Sequence, residues 1–300
     1  MKSGFCVLWG RPNVGKSTLL NALLGRKYVI TSPRPQTTRH RITGVLHDEE
    51  GGDDPAFQIV FLDTPGIHEP RHKLGETLVR TARSALQDVE CVLFVADVTD
   101  KPHDDDERAA QQLGNPKAPV ILVLNKTDAV SAEDLATRRA QFEALRAFDA
   151  VLEVSAVQGT GLDALKEAIM SRLPEGDPYF PPDMMGDRPP EFHIAERVRE
   201  QALLQLREEI PHAVAVGIEQ MEPRPKGLLY IAAFVFVERD SQKKIVIGDN
   251  ASRIKEIGRN ARAEIEELLN RPVYLELRVK VRPHWREDQT WIKRFGYEEN

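Results

Sequence analysis

A glycine-containing segment near the start of the chain has the residue types that bind a polyphosphate. It reads Gly10-Arg11-Pro12-Asn13-Val14-Gly15-Lys16-Ser17 and lies between an apolar run, Phe5–Trp9, and a helical pattern. That context is the one in which such a loop is functional, because backbone N–H groups and the helix N-terminus then face the phosphates. Lys16 can reach the β and γ phosphates, and Ser17 can bind Mg²⁺. The predicted nucleotide contacts are Gly10, Asn13, Val14, Gly15, Lys16, Ser17 and Thr18.

A second polar cluster, Asp63-Thr64-Pro65-Gly66, directly follows the apolar run Phe57–Leu62. An aspartate at the end of a parallel strand can hold the Mg²⁺ shell directly or through water, and a glycine amide beside it can meet a γ-phosphate. An ordinary chain reversal would have the same composition, so the position after a strand supports the functional interpretation. The sequence therefore predicts Asp63 as a metal-binding residue and Gly66 as a catalytic one.

A third cluster, Asn125-Lys126-Thr127-Asp128, follows the run Val120–Leu124. The Asp128 carboxylate can accept hydrogen bonds from the N1–H and exocyclic amine of guanine, whereas adenine would leave it unpaired. The Lys126 stem can lie on the purine face, and Ser155-Ala156 after a later strand fits a backbone contact to guanine O6. The alternative for Asp128 is a helix N-cap. The pattern predicts a guanine site that includes Asn125, Lys126, Asp128, Ser155 and Ala156.

A polar, proline-bearing segment, Thr31–His40, has no periodicity and is predicted to be a loop. A loop in this place can be ordered by γ-phosphate and Mg²⁺ and released after hydrolysis. Thr38 is the predicted metal ligand and a catalytic residue, with Thr37 as the alternative. Arg39, taken singly, is expected to be a solvated surface charge.

The order of elements predicts the fold of the segment that contains these clusters. Strand-like apolar runs alternate with helical patterns through residue 173, which is typical of a mostly parallel, six-stranded α/β sheet covered on both faces. Arg41–His47 and Phe57–Leu62 flank an acidic stretch, Asp48–Asp54, and are predicted to form an antiparallel edge hairpin. Each of the three clusters directly follows one of the predicted strands.

A break follows this first domain, which is predicted to span residues 1–173. Six prolines in seventeen residues mark 174–190 as a semi-rigid linker. Residues 191–300 have a different order that favours a separate α+β domain. The predicted elements are a helix at Phe192–Glu209, strands at Ala213–Gln220 and Leu228–Glu238, a short helix, a helix at Ser252–Leu269 and a strand at Val273–Val281.

Composition limits the class of protein. The 300 residues carry 41 basic and 47 acidic side chains, a net charge of −6, which argues against a general nucleic-acid binder with a large positive field. The only two cysteines, Cys6 and Cys91, lie in apolar runs and are expected to be core residues in a reducing compartment. No apolar run is long enough to span a bilayer, and the start of the chain does not have a signal-peptide layout. A cytoplasmic location is the expectation.

With these motifs in order, the first domain resembles the translation-factor-like class of P-loop GTPases. The resemblance implies GTP as ligand, Mg²⁺ as cofactor and hydrolysis to GDP and phosphate. Ile67 occupies the place where many GTPases have a glutamine that orients the attacking water. In part of the class with such an apolar residue, an asparagine at the place of Asn13 helps to bind K⁺. The resemblance therefore implies a slow, K⁺-stimulated GTPase, with Asn13, Lys16, Thr38 and Gly66 as catalytic residues. The alternative for Asn13 is a loop-shaping hydrogen bond.

The element order of residues 191–300 matches a type II KH fold, which clamps single-stranded nucleic acid with a Gly-x-x-Gly loop between two helices. Here the second loop glycine is replaced by Ala251, and the loop interior contains an acidic residue, Asp249. An alanine is tolerable there if its backbone is helical. The predicted RNA-binding residues are Lys243, Lys244, Gly248, Asn250, Ala251, Arg253 and Lys255. A KH-like fold used for protein contacts is the alternative.

The combination of GTPase domain, proline-rich linker and KH-like domain resembles the Era family of bacterial GTPases. Similar stretches include Thr37–Arg41, Asp63–His68, Gln242–Gly248 and Val273–Leu277. The resemblance implies a monomeric assembly factor of the 30S ribosomal subunit that binds the 3′ region of 16S rRNA. It also implies, as an option, peripheral contact with the cell membrane.

The leading hypothesis is a GTPase whose GTP hydrolysis times its binding to RNA, and two other functions are alternatives to it. One is an RNA scaffold in which hydrolysis is incidental, and the other is a signalling GTPase with a protein partner. The net charge does not exclude RNA, because residues 239–262 contain seven basic and three acidic side chains, a local charge of +4. The net charge therefore argues against nonspecific binding of nucleic acid through a large positive field, but not against binding by a local RNA clamp.

Overall fold

The computed structural model describes three ranges of the chain: 1–47, 57–70 and 72–298. It divides into two compact units. The first comprises Met1–Val29, Thr38–Arg71 and Gly75–Asp187, and the second comprises Ile30–Thr37, His72–Leu74 and Arg188–Asn300.

The first unit is built on a six-stranded sheet with the order β2-β3-β1-β4-β5-β6. Only β2 is antiparallel to its neighbour, and it forms the predicted edge hairpin with β3; the Asp48–Asp54 stretch lies outside the described residues. The mostly parallel α/β architecture is therefore confirmed. The elements are β1 (Lys2–Trp9), α1 (Lys16–Leu23), β2 (Ile42–His47), β3 (Phe57–Asp63), α2 (Lys73–Ser84), β4 (Cys91–Asp97), α3 (Asp104–Leu113), β5 (Val120–Asn125), α4 (Ala132–Glu143), β6 (Ala150–Val154) and α5 (Leu162–Met170).

The central strands are buried on both faces, as their continuous apolar runs predict. All residues of β4 and β5 are buried. Cys6 and Cys91 pair across β1 and β4, and both are free and buried, so the prediction that they are core residues is confirmed. Burial raises the pKa of the Cys6 thiol well above its usual value, which keeps it protonated.

The proline-rich segment is bonded to the first unit. The amide of Ser3 donates to Pro174 O at 3.1 Å, and the amide of Val45 donates to Met185 O at 2.9 Å. The first unit consequently continues to Asp187, past the residue 173 at which the sequence places the end of the domain. Prolines cannot join a ladder as donors, but their carbonyls and neighbours can still bind a sheet edge.

The second unit contains a three-stranded sheet, β7-β8-β9, in which β7 is antiparallel and β9 parallel to β8. One face of this sheet packs against α6, α8 and α9 around Val198, Ile231, Val246, Ile257 and Val279. The elements are α6 (Pro190–Gln205), α7 (Ile210–Ala213), β7 (Ala215–Pro223), β8 (Leu229–Val237), α8 (Asp240–Ile247), α9 (Ser252–Leu269), β9 (Val273–Val281) and α10 (Gln289–Arg294).

Three elements of the second unit differ from the prediction. The helix predicted to reach Glu209 ends at Gln205, because Leu206 is extended and Glu208 has a positive φ of 56°. The short helices α7 and α10 were not predicted, since four and six residues are too few to show periodicity. In the described part of the chain, no helix is both long and apolar enough to cross a membrane.

Candidate functional site

The phosphate-loop segment connects β1 to α1, and two of its glycines are required by space as well as by backbone angle. A Cβ on Gly10, which has φ 145°, would lie 2.5 Å from the carbonyl oxygen of Val95. A Cβ on Gly15, which has φ 96°, would lie 2.4 Å from Asn125 Nδ2. These positive φ values are favourable only for glycine. The loop is thus held close to the ends of β4 and β5.

Lys16 is buried at the start of α1 and is only 6% exposed. Its ammonium donates to the carbonyl oxygens of Gly10 at 3.0 Å and Arg11 at 2.8 Å. Burial lowers the pKa of Lys16 to about 8, although nearby Asp63 opposes the shift. A phosphate would supply the anionic partner that this buried cation needs.

Three oxygen-bearing side chains meet at the end of β3 in a geometry suited to Mg²⁺. Ser17 Oγ lies 2.7 Å from Asp63 Oδ2 and 2.8 Å from Thr38 Oγ1, and Thr38 Oγ1 lies 3.2 Å from the same carboxylate oxygen. The other oxygen, Asp63 Oδ1, is buried and has no hydrogen-bond partner among the described residues. Burial also raises the pKa of Asp63. An orphaned carboxylate oxygen beside two hydroxyls is a donor set that fits a hard cation.

The neighbours of Thr38 occupy different environments. The Thr37 hydroxyl donates to Arg34 O at 2.7 Å and lies 2.6 Å from Ser32 Oγ, so it is used inside its own loop. This geometry favours Thr38 over Thr37. The expectation that Arg39 is a solvated charge is wrong, because its side chain is fully buried. Polar composition predicts a loop but not whether that loop folds back onto the protein.

The predicted guanine-site residues converge at the ends of β5 and β6. Asn125 Nδ2 donates to Val14 O at 2.9 Å, and its Oδ1 accepts from the amide of Ala156 at 3.1 Å. The Ser155 hydroxyl donates to Asp128 Oδ1 at 2.5 Å. The N-cap of α4 is Ser131, whose side chain accepts from the Asp134 amide, so Asp128 does not cap that helix.

One residue of this site was missed by sequence reasoning. Asp97, the last residue of β4, accepts from Lys126 Nζ at 2.5 Å and also from Thr99. Partial burial raises the pKa of Asp97, but these hydrogen bonds outweigh it and the net pKa is lowered. Lys126 also donates to Asn13 O at 3.0 Å, so Asp97 helps to hold the Lys126 side chain against the phosphate-loop segment. The sequence feature that could have identified Asp97 is its position as the last residue of a central parallel strand, where ligand-binding side chains gather.

Gly66 and Ile67 pack tightly against the phosphate loop. A Cβ on Gly66 would lie 2.5 Å from Pro12 N, and the Ile67 amide donates to Gly10 O at 3.0 Å. The Ile67 side chain is fully buried in the core of the first unit. It therefore offers no hydrogen bond to a water. His68 is partly exposed, and its Nδ1 lies 2.8 Å from Gly66 O.

In the second unit, the predicted RNA loop lies between α8 and α9. A Cβ on Gly248, which has φ 72°, would lie 2.9 Å from Arg253 Cβ, so this glycine is required. Lys255 Nζ reaches Asn250 O at 3.4 Å. Lys244 and Lys255 are exposed, whereas Lys243 and Arg253 are partly exposed. The loop thus presents backbone and cations together, as a clamp on a phosphodiester backbone requires.

Ala251 departs from the condition under which an alanine would be unstrained. Its backbone is left-handed, with φ 60° and ψ 25°, and Asn250 is left-handed as well, with φ 51°. An alanine in this region costs about 1–2 kcal/mol. The loop therefore keeps the backbone path that a glycine would adopt, at a cost in stability.

Comparisons with known families cover both units. The family described as "50S ribosome-binding GTPase" matches residues 5–126, and the KH domain family matches residues 209–286. GTPase Era of Heliobacterium modesticaldum is 47% identical over 299 residues, which is 100% of this chain and 98% of the relative. GTPase Era of Carboxydothermus hydrogenoformans is 45% identical over 99% of this chain and 98% of the relative.

Two solved structures match over the full length of both chains. A variant of Aquifex aeolicus Era bound to GDP·AlF4⁻ superposes with a TM-score of 0.94 at 40% identity. Era in complex with MgGDPNP and nucleotides 1506–1542 of 16S ribosomal RNA gives the same TM-score and identity. Both comparisons extend through the phosphate loop and the KH-type loop.

Proposed function

Since the chain belongs to the Era family of GTPases, we propose that it hydrolyses GTP to time its binding to the 3′ region of 16S rRNA during assembly of the 30S subunit. The observation that carries this proposal is full-length similarity to an Era structure bound to both MgGDPNP and 16S rRNA nucleotides. The GTPase family model names the 50S subunit, but it covers only residues 5–126 and thus excludes the KH unit.

The first unit supplies the groups for phosphoryl transfer. We infer that Lys16 leaves its two carbonyl acceptors and binds the β and γ phosphates, while the amides of Val14, Gly15, Lys16, Ser17 and Thr18 surround them. Gly66 presents its amide to the γ-phosphate. Because Ile67 is buried and apolar, the attacking water is oriented by other groups. Positioning and charge neutralisation then account for the rate, with slow turnover.

The donor set of Ser17, Thr38 and Asp63 is assigned to Mg²⁺. The two hydroxyls lie within 2.7–3.2 Å of one carboxylate oxygen, and the second carboxylate oxygen is buried without a partner among the described residues. When bound, Mg²⁺ neutralises charge on the phosphate oxygens. The protein holds Asp63 rigidly for this purpose, because burial and the Ser17 hydrogen bond fix its orientation.

K⁺ is proposed as an activator near Asn13, which lies at the exposed tip of the phosphate loop with a left-handed φ of 65°. A cation there would supply positive charge in a site that has no water-orienting glutamine. We expect GTP hydrolysis to be at least about tenfold faster in KCl than in NaCl. Asn13→Ala should abolish the difference and leave GDP affinity within about twofold, since the Asn13 contact to Lys126 uses only its backbone oxygen.

The measurement is phosphate release under saturating GTP at equal ionic strength in the two salts. Equal wild-type rates in K⁺ and Na⁺ would contradict the assignment. A preserved K⁺ effect in Asn13→Ala would move the cation site elsewhere.

The KH unit is proposed to clamp single-stranded RNA through the Gly248–Ala251 loop and its surrounding cations. Lys243, Lys244, Arg253 and Lys255 make no ion pair within the described ranges of the chain, so their charges are available to phosphates. The Asp249 carboxylate repels phosphate. RNA phosphates are therefore expected to contact the loop backbone and the flanking cations and not the Asp249 side chain.

The full-length protein bound to a GTP analogue tests this proposal with a 37-nucleotide RNA of the 16S 1506–1542 sequence. We expect affinity to fall with salt, and Lys243→Gln with Lys244→Gln to reduce the slope of log K against log salt by about 1.4, at ~0.7 per phosphate contact. Lys101→Gln, an exposed lysine of the first unit, is the matched control. RNA binding that is absent, or insensitive to the loop variants, would favour a protein partner.

Other expectations stay predictions. They are the domain limits 1–173, 174–190 and 191–300, a monomeric state, a cytoplasmic location and peripheral membrane contact. The first unit of the structure continues to Asp187 and so includes much of the predicted linker.

A further inference from the structure

The sheet of the second unit has an outer face that the three core helices do not cover. Ile231, Ala233 and Val235 of β8 point into the helix-packed core, so the alternate residues Phe234 and Phe236 lie on the opposite face. In β9 the same alternation places Lys280 outward beside Phe236 in the strand register. The Gly248–Ala251 loop belongs to the helix side, so this outer face is a separate surface.

Aromatic rings and cations alternate across one end of this face. Lys280 Nζ lies 3.2 Å from the centroid of the Phe234 ring. The guanidinium carbons of Arg282 and Arg294 lie 4.2 Å and 4.7 Å from the centroid of Trp291. We call Phe234, Lys280, Arg282, Trp291 and Arg294 the outer patch.

Ring contacts make the outer patch continuous. Phe236 lies 5.9 Å from Phe234 and 5.8 Å from Trp291, and it also contacts Phe295 at 5.0 Å. Helix α10 is thereby fixed on the sheet by its aromatic side chains, and Ile292 of the same helix is buried. Lys280, Arg282 and Arg294 are therefore carried on ordered elements rather than on a free tail.

The charges of the outer patch are uncompensated, in contrast to the rest of the same face. Within the part of the chain that the structure describes, Lys280, Arg282 and Arg294 have no carboxylate within 4.0 Å. By comparison, Arg278 is paired with Glu276 and Glu219. Three exposed cations left unpaired beside paired ones indicate a surface for a polyanion.

We propose that the outer patch is a second contact for single-stranded RNA, which extends the strand held by the Gly248–Ala251 loop. The inference rests on the proposed function of the second unit. Bases can stack on the exposed guanidinium planes of Arg282 and Arg294 and on the partly exposed Trp291, and the cations neutralise phosphates. Phe234 is itself buried, and its ring supports the ammonium of Lys280 from below. Since a KH loop clamps only about four nucleotides, a longer strand has to find its remaining contacts elsewhere.

The test compares two RNAs on full-length protein bound to a GTP analogue: the 37-nucleotide 1506–1542 sequence, and the best-binding six-nucleotide fragment of it. In the triple variant Lys280→Gln, Arg282→Gln and Arg294→Gln, we expect Kd for the long RNA to rise about tenfold and the salt slope to fall by about 2, at ~0.7 per contact. Affinity for the six-nucleotide RNA should stay within about twofold, since that fragment fills the loop alone.

Arg224→Gln with Arg278→Gln is the matched control, because both arginines lie on this sheet's strands or turns but are ion-paired. Its Kd for the long RNA should change less than about twofold. The single variant Lys280→Gln, which leaves Trp291 and its two arginines intact, should still lower the slope by about 0.7 if the triple variant is unstable.

Other outcomes overturn the inference. An unchanged Kd for the long RNA removes the second contact, and an equal loss for both RNAs indicates damage to the loop or fold. If the triple variant bound vesicles of phosphatidylglycerol and phosphatidylcholine less well than the wild type while its RNA affinity was unchanged, the patch would be assigned to a lipid surface. If the wild type binds neither RNA, the proposed RNA function itself fails.

Discussion

Replacing Asp128 by asparagine is expected to lower GTP affinity about 10³-fold and to raise XTP affinity by a similar factor. The Asp128 carboxylate accepts from Ser155 in the free protein and is otherwise exposed at the end of β5, where it can meet the N1–H and amine of guanine. An asparagine would face the guanine amine with its own N–H₂ group. Xanthine has a carbonyl in place of that amine, so the same amide could donate to it.

Displacement of a fluorescent GDP by GTP and XTP measures both affinities. Asp134→Asn is the matched control, because Asp134 is an exposed residue of the first turn of α4 that interacts with Ser131. That variant should bind GTP like the wild type. If Asp128→Asn kept its preference for GTP, base selection would have to depend on other groups, such as the Ser155-Ala156 backbone.

Replacing Lys16 by methionine should separate nucleotide binding from stability. We expect GTP affinity to fall about 10³-fold, since phosphates would lose a buried cationic partner. Without nucleotide, in contrast, the free energy of unfolding of the variant at pH 7 should lie within about 1 kcal/mol of the wild-type value. Lowering the pKa of Lys16 from 10.5 to about 8 corresponds to a net cost of about 3 kcal/mol for keeping the ammonium charged in the folded protein. Its removal offsets two lost hydrogen bonds from a charged donor to carbonyls, worth about 1.5 kcal/mol each at the lower end of their range.

The pH dependence of the free energy of unfolding gives a second comparison of the wild type with Lys16→Met. The pKa of Lys16 is lower in the folded than in the unfolded protein, so the unfolded state binds the extra proton between pH 8 and 10.5. Wild-type stability without nucleotide should therefore gain relative to Lys16→Met as the pH rises through this window. Denaturant unfolding at several pH values, with Lys101→Met as control, measures the difference. Parallel curves would show that Lys16 is not desolvated in the free protein.

Much of the proposed nucleotide site could be predicted from the sequence because each motif is local. The phosphate-binding loop proposed at Gly10–Ser17 needs only a strand, a turn and a helix N-terminus that are contiguous in the chain. The same holds for Asp63 and for Asn125–Asp128, each of which directly follows an apolar strand. The parallel sheet then brings these strand ends to one edge, since the helices between them return the chain to its starting side.

The KH unit was predictable only in its element order and loop composition. The two ends of the RNA loop, Gly248 and Ala251, both have a positive φ. Since one of them is an alanine, residue type alone does not reveal these backbone angles. The short helix α10 has too few residues for a periodic signal, and its contacts with Phe236 join residues about 55 positions apart. The outer patch could not be seen before these contacts were known.

By itself, the sequence determined the GTPase chemistry, the guanine preference and the presence of a second, nucleic-acid-binding type of domain, because strand–loop–helix motifs encode them within a few residues. The tertiary structure decided the matters that depend on distant residues. It placed Thr38 rather than Thr37 beside Asp63, buried Arg39, and added Asp97 beneath Lys126. It also left three cations unpaired on the outer sheet face. Burial and pairing are properties of the packed chain, so no local pattern specifies them.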